Sequence, residues 1–156
     1  MTKDDEVKLL DFGLAKIVED ASPTSNDVYK MTGRTGTLCY MAPEVGLDKP
    51  YNHKVDVYSF GIMLWQLLQA EQPHCCIKNA DLFGDLMICN VRPPISKKWP
   101  TEVVELMTKC WSANIEERPS FPEIIKTIDE TVALFAKKKK SPFSKPRSML
   151  RRSGFM

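Results

Sequence analysis

The sequence predicts a mainly α protein with one short β element at its N-terminus. Two segments carry the helical prediction: residues 55–68 are almost continuously apolar, and residues 120–135 have apolar side chains at helical spacing. The β element is predicted at residues 6–10, where β-branched Val7 precedes two leucines and the run ends at Asp11. With 156 residues, of which 43% are hydrophobic, the chain can bury a single core of ordinary size.

Each further element follows from its own pattern. Residues 19–34 are rich in Ser, Thr, Asp and Asn without periodicity, which indicates a long exposed loop. Residues 55–68 have apolar side chains on nearly every side, so we expect this helix to be buried on all faces at the centre of the core. Shorter helices are predicted at residues 81–90 and 102–111.

The last predicted helix has a clear start signal. Ser120 and Glu123 have the spacing of a capping box, and Pro122 suits the first turn. Five apolar residues then recur at helical spacing: Phe121, Ile125, Ile128, Val132 and Phe135.

Charge and cysteine content restrict the class of protein. Residues 137–156 contain eight of the 22 Lys and Arg and no acid, which leaves 14 basic and 20 acidic residues, net −6, in residues 1–136. We therefore expect a domain over residues 1–136 and a basic, disordered tail over residues 137–156. The five cysteines lack metal-ligand spacing, which disfavours a zinc site or a disulfide framework. A cytoplasmic location is favoured, or a nuclear one if the tail is an import signal.

Asp11-Phe12-Gly13 is the first motif with chemical meaning. A carboxylate that directly follows a strand is well placed to hold a hard cation such as Mg²⁺, which bridges nucleotide phosphates. The tripeptide alone is more typical of an ordinary turn, because Asp and Gly are common in turns. The balance changes with the motif Ala42-Pro43-Glu44, which lies beyond the loop rich in Ser and Thr.

An Asp-Phe-Gly motif, a Ser/Thr-rich loop and an Ala-Pro-Glu motif in this order resemble the activation segment of the protein kinases. Residues 56–65, "DVYSFGIMLW", resemble the helix that anchors the kinase large lobe, and residues 110–121, "CWSANIEERPSF", resemble the segment before its last helix. The sequence of these two segments is most similar to the tyrosine-kinase-like group of serine/threonine kinases. The resemblance covers residues 7–135 and implies a protein-kinase-like large (C-terminal) lobe. It also implies ATP and Mg²⁺ as cofactors, protein substrates and an upstream kinase.

The resemblance assigns roles on the nucleotide side of the site. Asp11 would bind Mg²⁺, Phe12 would join the regulatory stack of apolar side chains, and Gly13 would permit rotation of the backbone. Thr37 would contact the catalytic loop, and a threonine at this position implies substrates with Ser or Thr as acceptor.

A second set of residues would bind the substrate or hold the lobe together. Leu38 and Tyr40 would shape the pocket for the residue that follows the phosphoacceptor. Glu44 and Arg118 would form a buried ion pair, and Asp56 would accept hydrogen bonds from the backbone of the catalytic loop. In the family the last three residues stabilise the lobe rather than perform chemistry.

The loop between the two motifs offers hydroxyl groups for phosphorylation. The negative charge of a phosphate can order such a loop against an arginine. Thr32 and Thr35 are favoured because they lie nearest the substrate-binding end, and Ser25 is a further candidate.

Three parts of a kinase active site do not occur in the 156 residues: the glycine-rich loop, the strand lysine with its helix glutamate, and the H-R-D loop that supplies the base. In a kinase all three precede the Asp-Phe-Gly motif. We therefore expect Met1 to be an internal methionine of a longer kinase, or the start of a truncated gene model, with the N-lobe and catalytic loop absent. Such a chain should bind ATP poorly and transfer little phosphate by itself.

Two alternatives stay open. The chain could be a non-catalytic, pseudokinase-like module that binds protein partners through its helical face. The basic tail could contact an anionic membrane, although a solvated extension is the simpler explanation, and no specific nucleic acid is expected as a partner. The longest apolar stretch, near residues 60–68, is too short to predict a transmembrane segment.

Overall fold

A computed structural model describes residues 7–15, 37–73 and 88–140, with side chains up to residue 137. The described elements are mainly helical. They are a 3-10 turn at Leu38–Tyr40, α1 at Pro43–Gly46, α2 at Lys54–Gln69, α3 at Thr101–Cys110, a second 3-10 turn at Ile115–Glu117, and α4 at Phe121–Lys140.

α2 is the centre of the described fold. Its prediction from sequence is confirmed to within one residue at each end. The helix ends at Ala70, which adopts a left-handed conformation with φ of 59° and donates its N–H to the Gln66 carbonyl at 2.8 Å. Trp65 is 3% exposed, and its indole N–H donates to the Pro94 carbonyl at 2.8 Å, so this large side chain is both packed and satisfied.

The prediction that α2 is buried on all faces is wrong. Val57 and Ile62 are fully buried, but Met63 and Leu67 on the opposite side are 43% and 70% exposed. Among the described elements, α2 packs most extensively against α3 and the turn at Leu38–Tyr40, and these contacts leave some of its apolar side chains at the surface.

The contact between α2 and α3 depends on Gly61. A Cβ at this position would lie 2.9 Å from the Cys110 Cβ, which is closer than real Cβ contacts allow, and a tight 3.3 Å from the Met107 carbonyl oxygen. The absence of a side chain at Gly61 therefore lets the two helices approach. Cys110 is fully buried there, and burial raises the pKa of its thiol to about 12, so the thiol remains neutral.

α3 and α4 begin close to their predicted positions, and the capping box of α4 is confirmed. The Ser120 backbone N–H and hydroxyl each donate to Glu123 Oε2 at 2.7 Å, and the Glu123 N–H donates to the Ser120 hydroxyl at 3.4 Å. These hydrogen bonds lower the pKa of Glu123, the bond from the backbone N–H contributing most.

Only part of the apolar pattern of α4 is buried. Ile124 is 1% exposed and packs with Leu106 and Cys110, whereas Ile125 and Val132 are 58% and 61% exposed. The apolar residues of α4 cover a wide arc, and α3 covers only one edge of it. Phe121 lies at this boundary, 41% exposed but in edge-to-face contact with Phe60 at 6.0 Å between ring centroids.

The β element predicted at residues 6–10 is not confirmed. Residues 7–10 have no regular secondary structure, and Val7, Leu9 and Leu10 are more than 80% exposed. A strand requires a partner strand, and the described ranges contain none. The helix predicted at residues 81–90 lies mainly outside the described residues, while α4 extends to Lys140, past the domain end predicted at residue 136. No helix within the described ranges is both long and apolar enough to span a bilayer.

Candidate functional site

Asp11, Phe12 and Gly13 form a tight, exposed turn. Asp11, rather than Gly13, adopts the left-handed conformation, with φ of 65°, and its Oδ1 accepts the Gly13 N–H at 3.3 Å. The Ala15 N–H donates to the Phe12 carbonyl at 3.0 Å and closes the turn. The Phe12 side chain is 69% exposed, so the described residues provide no apolar stack around it.

The carboxylate of Asp11 has the chemistry of a Mg²⁺ ligand, because hard cations prefer oxygen. Within the described ranges, however, no three His, Cys, Asp or Glu side chains come together as a metal site. Asp11 therefore supplies one suitable ligand, and the described residues do not assemble a complete site around it.

The segment from Thr37 to Tyr40 is anchored to α2 by its last residue. The Tyr40 hydroxyl donates to Gln66 Oε1 at 2.6 Å, and the Ser59 hydroxyl donates to the Tyr40 carbonyl at 2.9 Å. The Tyr40 N–H closes the turn on the Thr37 carbonyl at 3.1 Å. Thr37 and Leu38 are exposed, so this segment presents two side chains to solvent from a backbone that α2 holds in place.

Glu44 and Arg118, which are 74 residues apart in the chain, meet as a buried ion pair. Arg118 Nη1 lies 2.5 Å from Glu44 Oε1, and Nη2 lies 3.0 Å from Oε2, so the contact is bidentate. Arg118 is 1% exposed and Glu44 is 7% exposed. The pair therefore links α1, which begins with the Ala-Pro-Glu motif, to the segment that precedes α4.

Arg118 also satisfies backbone carbonyls around the pair. Its Nε donates to the Ser112 carbonyl at 2.9 Å, and Nη1 donates to the Lys54 carbonyl at 3.2 Å. In return, Lys54 Nζ donates to the Arg118 carbonyl. One guanidinium thus joins α1, the start of α2 and the turn after α3, and all of its nitrogens have partners.

The turn before Arg118 is stiffened by its own polar side chains. Asn114 Oδ1 accepts the Glu116 N–H at 3.2 Å, and the Ser112 hydroxyl donates to Glu117 Oε2 at 2.7 Å. Asn114 Nδ2 donates to the other carboxylate oxygen of Glu117 at 3.3 Å. These local bonds fix the direction in which the chain reaches Arg118.

Asp56 lies in the first turn of α2, where a carboxylate interacts favourably with the helix dipole. Its side chain is exposed and remains accessible to a hydrogen-bond donor. Burial, followed by the charges of Asp48 and Asp56, raises the pKa of Tyr51, so Asp56 also acts electrostatically on this neighbour.

Comparison with known proteins decides the family. Residues 1–128 match the family model described as protein tyrosine and serine/threonine kinase. The chain belongs to this protein kinase family. The resemblance predicted from the two ordered motifs is thereby confirmed.

Several individual kinases are similar to this chain. Serine/threonine-protein kinase VIK of Arabidopsis thaliana is 41% identical over 130 residues, which make up 81% of this chain and 28% of that kinase. Dual specificity protein kinase shkD of Dictyostelium discoideum is 40% identical over 126 residues, 80% of this chain and 16% of that kinase. Serine/threonine-protein kinase STY17 of Arabidopsis thaliana is 35% identical over 132 residues, 85% and 22% of the respective chains. The chain spans less than a third of the length of each of these kinases.

Sequence reasoning missed the aromatic centre of this kinase core. Tyr58 is 1% exposed, and the guanidinium carbons of Arg92 and Arg118 lie 5.0 and 5.1 Å from its ring centroid. Arg92 Nε donates to the Trp111 carbonyl at 3.0 Å, while its Nη2 is buried without a hydrogen-bond partner among the described residues. Burial is the main cause that lowers the pKa of Arg92 and raises that of Tyr58. An arginine in a proline-rich connector carries no motif that could have predicted this contact.

The three predicted phosphorylation sites, Ser25, Thr32 and Thr35, lie outside the described residues. Their assignment stays a prediction from sequence.

Proposed function

We propose that this chain is part of a serine/threonine protein kinase that transfers the γ-phosphoryl group of ATP to Ser or Thr side chains of proteins. The observation that carries the proposal is the buried Glu44–Arg118 pair, because it connects the Ala-Pro-Glu helix to a distant segment that matches the same family. The order of the Asp-Phe-Gly and Ala-Pro-Glu motifs supports it independently.

In this proposal the anchored segment before α1 binds the protein substrate. Tyr40 and its hydrogen bonds to Ser59 and Gln66 fix the backbone, while the exposed Thr37 and Leu38 face the substrate and the catalytic loop. A preformed backbone reduces the entropy that is lost when a peptide binds. Thr37 favours Ser and Thr as acceptors, and the names of the relatives include both serine/threonine and dual-specificity kinases.

The proposed cofactors are ATP and Mg²⁺, and the proposed role of Asp11 is to hold the metal. In the family, bound Mg²⁺ neutralises charge that develops on the phosphates. Phosphorylation of Ser25, Thr32 or Thr35 by an upstream kinase is the proposed activating step, because added phosphate charge can order a loop.

A kinase assay on two proteins tests the proposal: the 156-residue chain and a version extended upstream through the in-frame coding sequence. We expect ATP- and Mg²⁺-dependent transfer to Ser and Thr peptides by the extended protein. Asp11→Asn should reduce this transfer by at least about a hundredfold, since a lost electrostatic contact to the reacting phosphates costs about that much. Asp48→Asn is the matched control and should leave the transfer unchanged. Like Asp11, Asp48 is exposed and has a left-handed backbone conformation, with φ of 53°.

The competing function is a non-catalytic module that binds proteins. It has a physical basis in an open cleft of about 600 Å³ beside the ion pair, whose apolar lining includes Pro43, Leu47, Ile88 and Ile115. An extended protein that shows neither phosphoryl transfer nor a thermal shift with ATP and Mg²⁺ would favour this module over the kinase. Transfer to Tyr peptides at a comparable rate would instead replace Ser/Thr specificity by dual specificity.

A further inference from the structure

The C-terminal end of α4 exposes a continuous group of apolar side chains. Val132, Leu134 and Phe135 are 61%, 46% and 37% exposed, and Ala133 and Ala136 are exposed as well. We call residues 132–136 the apolar collar. The exposure of Val132 and Leu134, two residues apart, leaves apolar surface in water that a partner phase could cover.

The collar is apolar on more than one side of the helix. At about 100° per residue, Val132 and Leu134 lie roughly 160° apart, with Thr131 between them. Thr131 is 9% exposed and marks the side that faces the protein, so the two apolar residues flank the covered side on the left and on the right. A groove on a partner protein would match a single apolar stripe, whereas an apolar phase that surrounds the helix end would match a collar.

The collar is followed directly by the most basic part of the chain. The helix continues from the collar through Lys137 to Lys140, and residues 137–156 contain eight Lys and Arg and no acid. The last acidic residue of the sequence is Glu130, so the collar and everything after it are free of negative side chains. The family match ends at residue 128, and both features lie beyond it.

We propose that the end of α4 binds the surface of a membrane that contains anionic lipids. The collar would enter the boundary between headgroups and acyl chains, while the ammonium groups that follow stay at the level of the anionic headgroups. Nucleic acid offers the same negative charge but no apolar phase for Val132 and Leu134, so the observations favour lipid. This surface is separate from the Glu44–Arg118 site and does not depend on kinase activity.

Co-sedimentation of the 156-residue chain with extruded vesicles tests the proposal. We expect binding to vesicles of phosphatidylcholine with phosphatidylserine, no binding to phosphatidylcholine alone, and release as salt screens the lysines. Replacement of Lys137 to Lys140 by alanine should lower the partition coefficient by nearly three orders of magnitude, because each of the four basic groups near the surface contributes about fivefold. Val132→Ser combined with Leu134→Ser should lower it by about tenfold through lost apolar burial.

Two matched controls are available on the same chain. Leu67→Ser removes an apolar side chain of α2 that is 70% exposed, and Lys97→Ala with Lys98→Ala removes two exposed lysines, so neither should change the partition. Circular dichroism of each variant shows whether α4 remains folded. If a variant has lost its helix, insertion of the collar into the membrane is measured instead with Val132→Trp. The fluorescence of the added tryptophan, taken as the difference from the wild-type chain, should shift to the blue with anionic vesicles only.

Three outcomes would overturn the proposal. The first is failure of the wild-type chain to sediment with either kind of vesicle. The second is equal binding to neutral and anionic vesicles, which would remove the role of the lysines. The third is vesicle binding that the Val132 and Leu134 substitutions do not change, together with equally strong binding of the chain to a DNA duplex at the same salt concentration. This result would show that the contact depends only on the charge of a polyanion.

Discussion

Arg118→Met should lower the free energy of unfolding by about 3–5 kcal/mol. Arg118 is 1% exposed and gives two hydrogen bonds to Glu44, at 2.5 and 3.0 Å, and others to the carbonyls of Lys54 and Ser112. Methionine fills a similar volume without any donor. The Glu44 carboxylate, 7% exposed, would then stay buried without its counter-charge, and two carbonyls would lose their partner.

A double-mutant cycle separates the ion pair from the rest of this cost. Glu44→Leu alone leaves the Arg118 charge buried, although the carbonyls of Lys54 and Ser112 still accept from it. The double variant removes both charges together, so its cost should be smaller than the sum of the single costs by about 2 kcal/mol or more. Urea unfolding can be followed by tryptophan fluorescence, since Trp65 and Trp111 are only 3% and 4% exposed.

Arg92→Met is the matched control for this experiment. Arg92 contacts the same Tyr58 ring at a similar distance but has no acidic partner among the described residues, and one of its nitrogens is unsatisfied. Its loss should cost about 1–2 kcal/mol, the value of the bond to the Trp111 carbonyl and the ring contact. The reasoning is refuted if Arg118→Met costs no more than Arg92→Met, or if the coupling energy between positions 44 and 118 is zero.

Three further substitutions test the packing and the helix ends. Gly61→Ala should lower the free energy of unfolding by about 1–3 kcal/mol despite the better helix propensity of alanine, because the new Cβ would lie 2.9 Å from that of Cys110. A higher free energy of unfolding in urea would contradict the close contact of α2 and α3. Ala70→Gly should stabilise by about 1 kcal/mol, since φ of 59° strains alanine, and a lower melting temperature would argue against this geometry. Ser120→Ala should cost about 1 kcal/mol of cap stability. Because the pKa of Glu123 is lowered in the folded protein, the stability that its carboxylate contributes is present above the unfolded pKa and is lost as the pH falls through the folded pKa. The loss of helicity on acidification should therefore be smaller in Ser120→Ala than in the wild type. Equal losses in the two proteins would contradict the role of the cap.

The sequence was sufficient for local features with a short-range cause. The start of α4 follows from Ser120 and Glu123, which satisfy each other within one turn. The approximate bounds of α2 follow from a long apolar run, although the strained left-handed residue that ends the helix, Ala70, carries no stop signal in the sequence. The meeting of Glu44 with Arg118 was expected only through the family motifs, since no local rule joins residues so far apart in the chain.

The sequence was insufficient where burial depends on a distant neighbour. An apolar pattern defines an arc of a helix, but only the packing of other elements decides which part of that arc is covered. Ile124 is therefore buried while Ile125, one residue later in the same apolar arc, is 58% exposed. The strand predicted around Val7 fails for a related reason, because alternation and β-propensity do not supply the partner that a strand needs.

α2 holds both ends of the segment from Thr37 to Glu44, and this explains why Thr37 and Leu38 can be exposed on an ordered backbone. Ser59 and Gln66 hold Tyr40 at one end, and the carbonyl of Lys54 helps to hold Arg118, which in turn holds Glu44 at the other end. Both anchors rest on a single helix, so the distance between them cannot change without breaking one of these hydrogen bonds. A loss of stability at Arg118 should therefore reach the segment from Thr37 to Glu44 through Glu44, even though Arg118 itself is only 1% exposed.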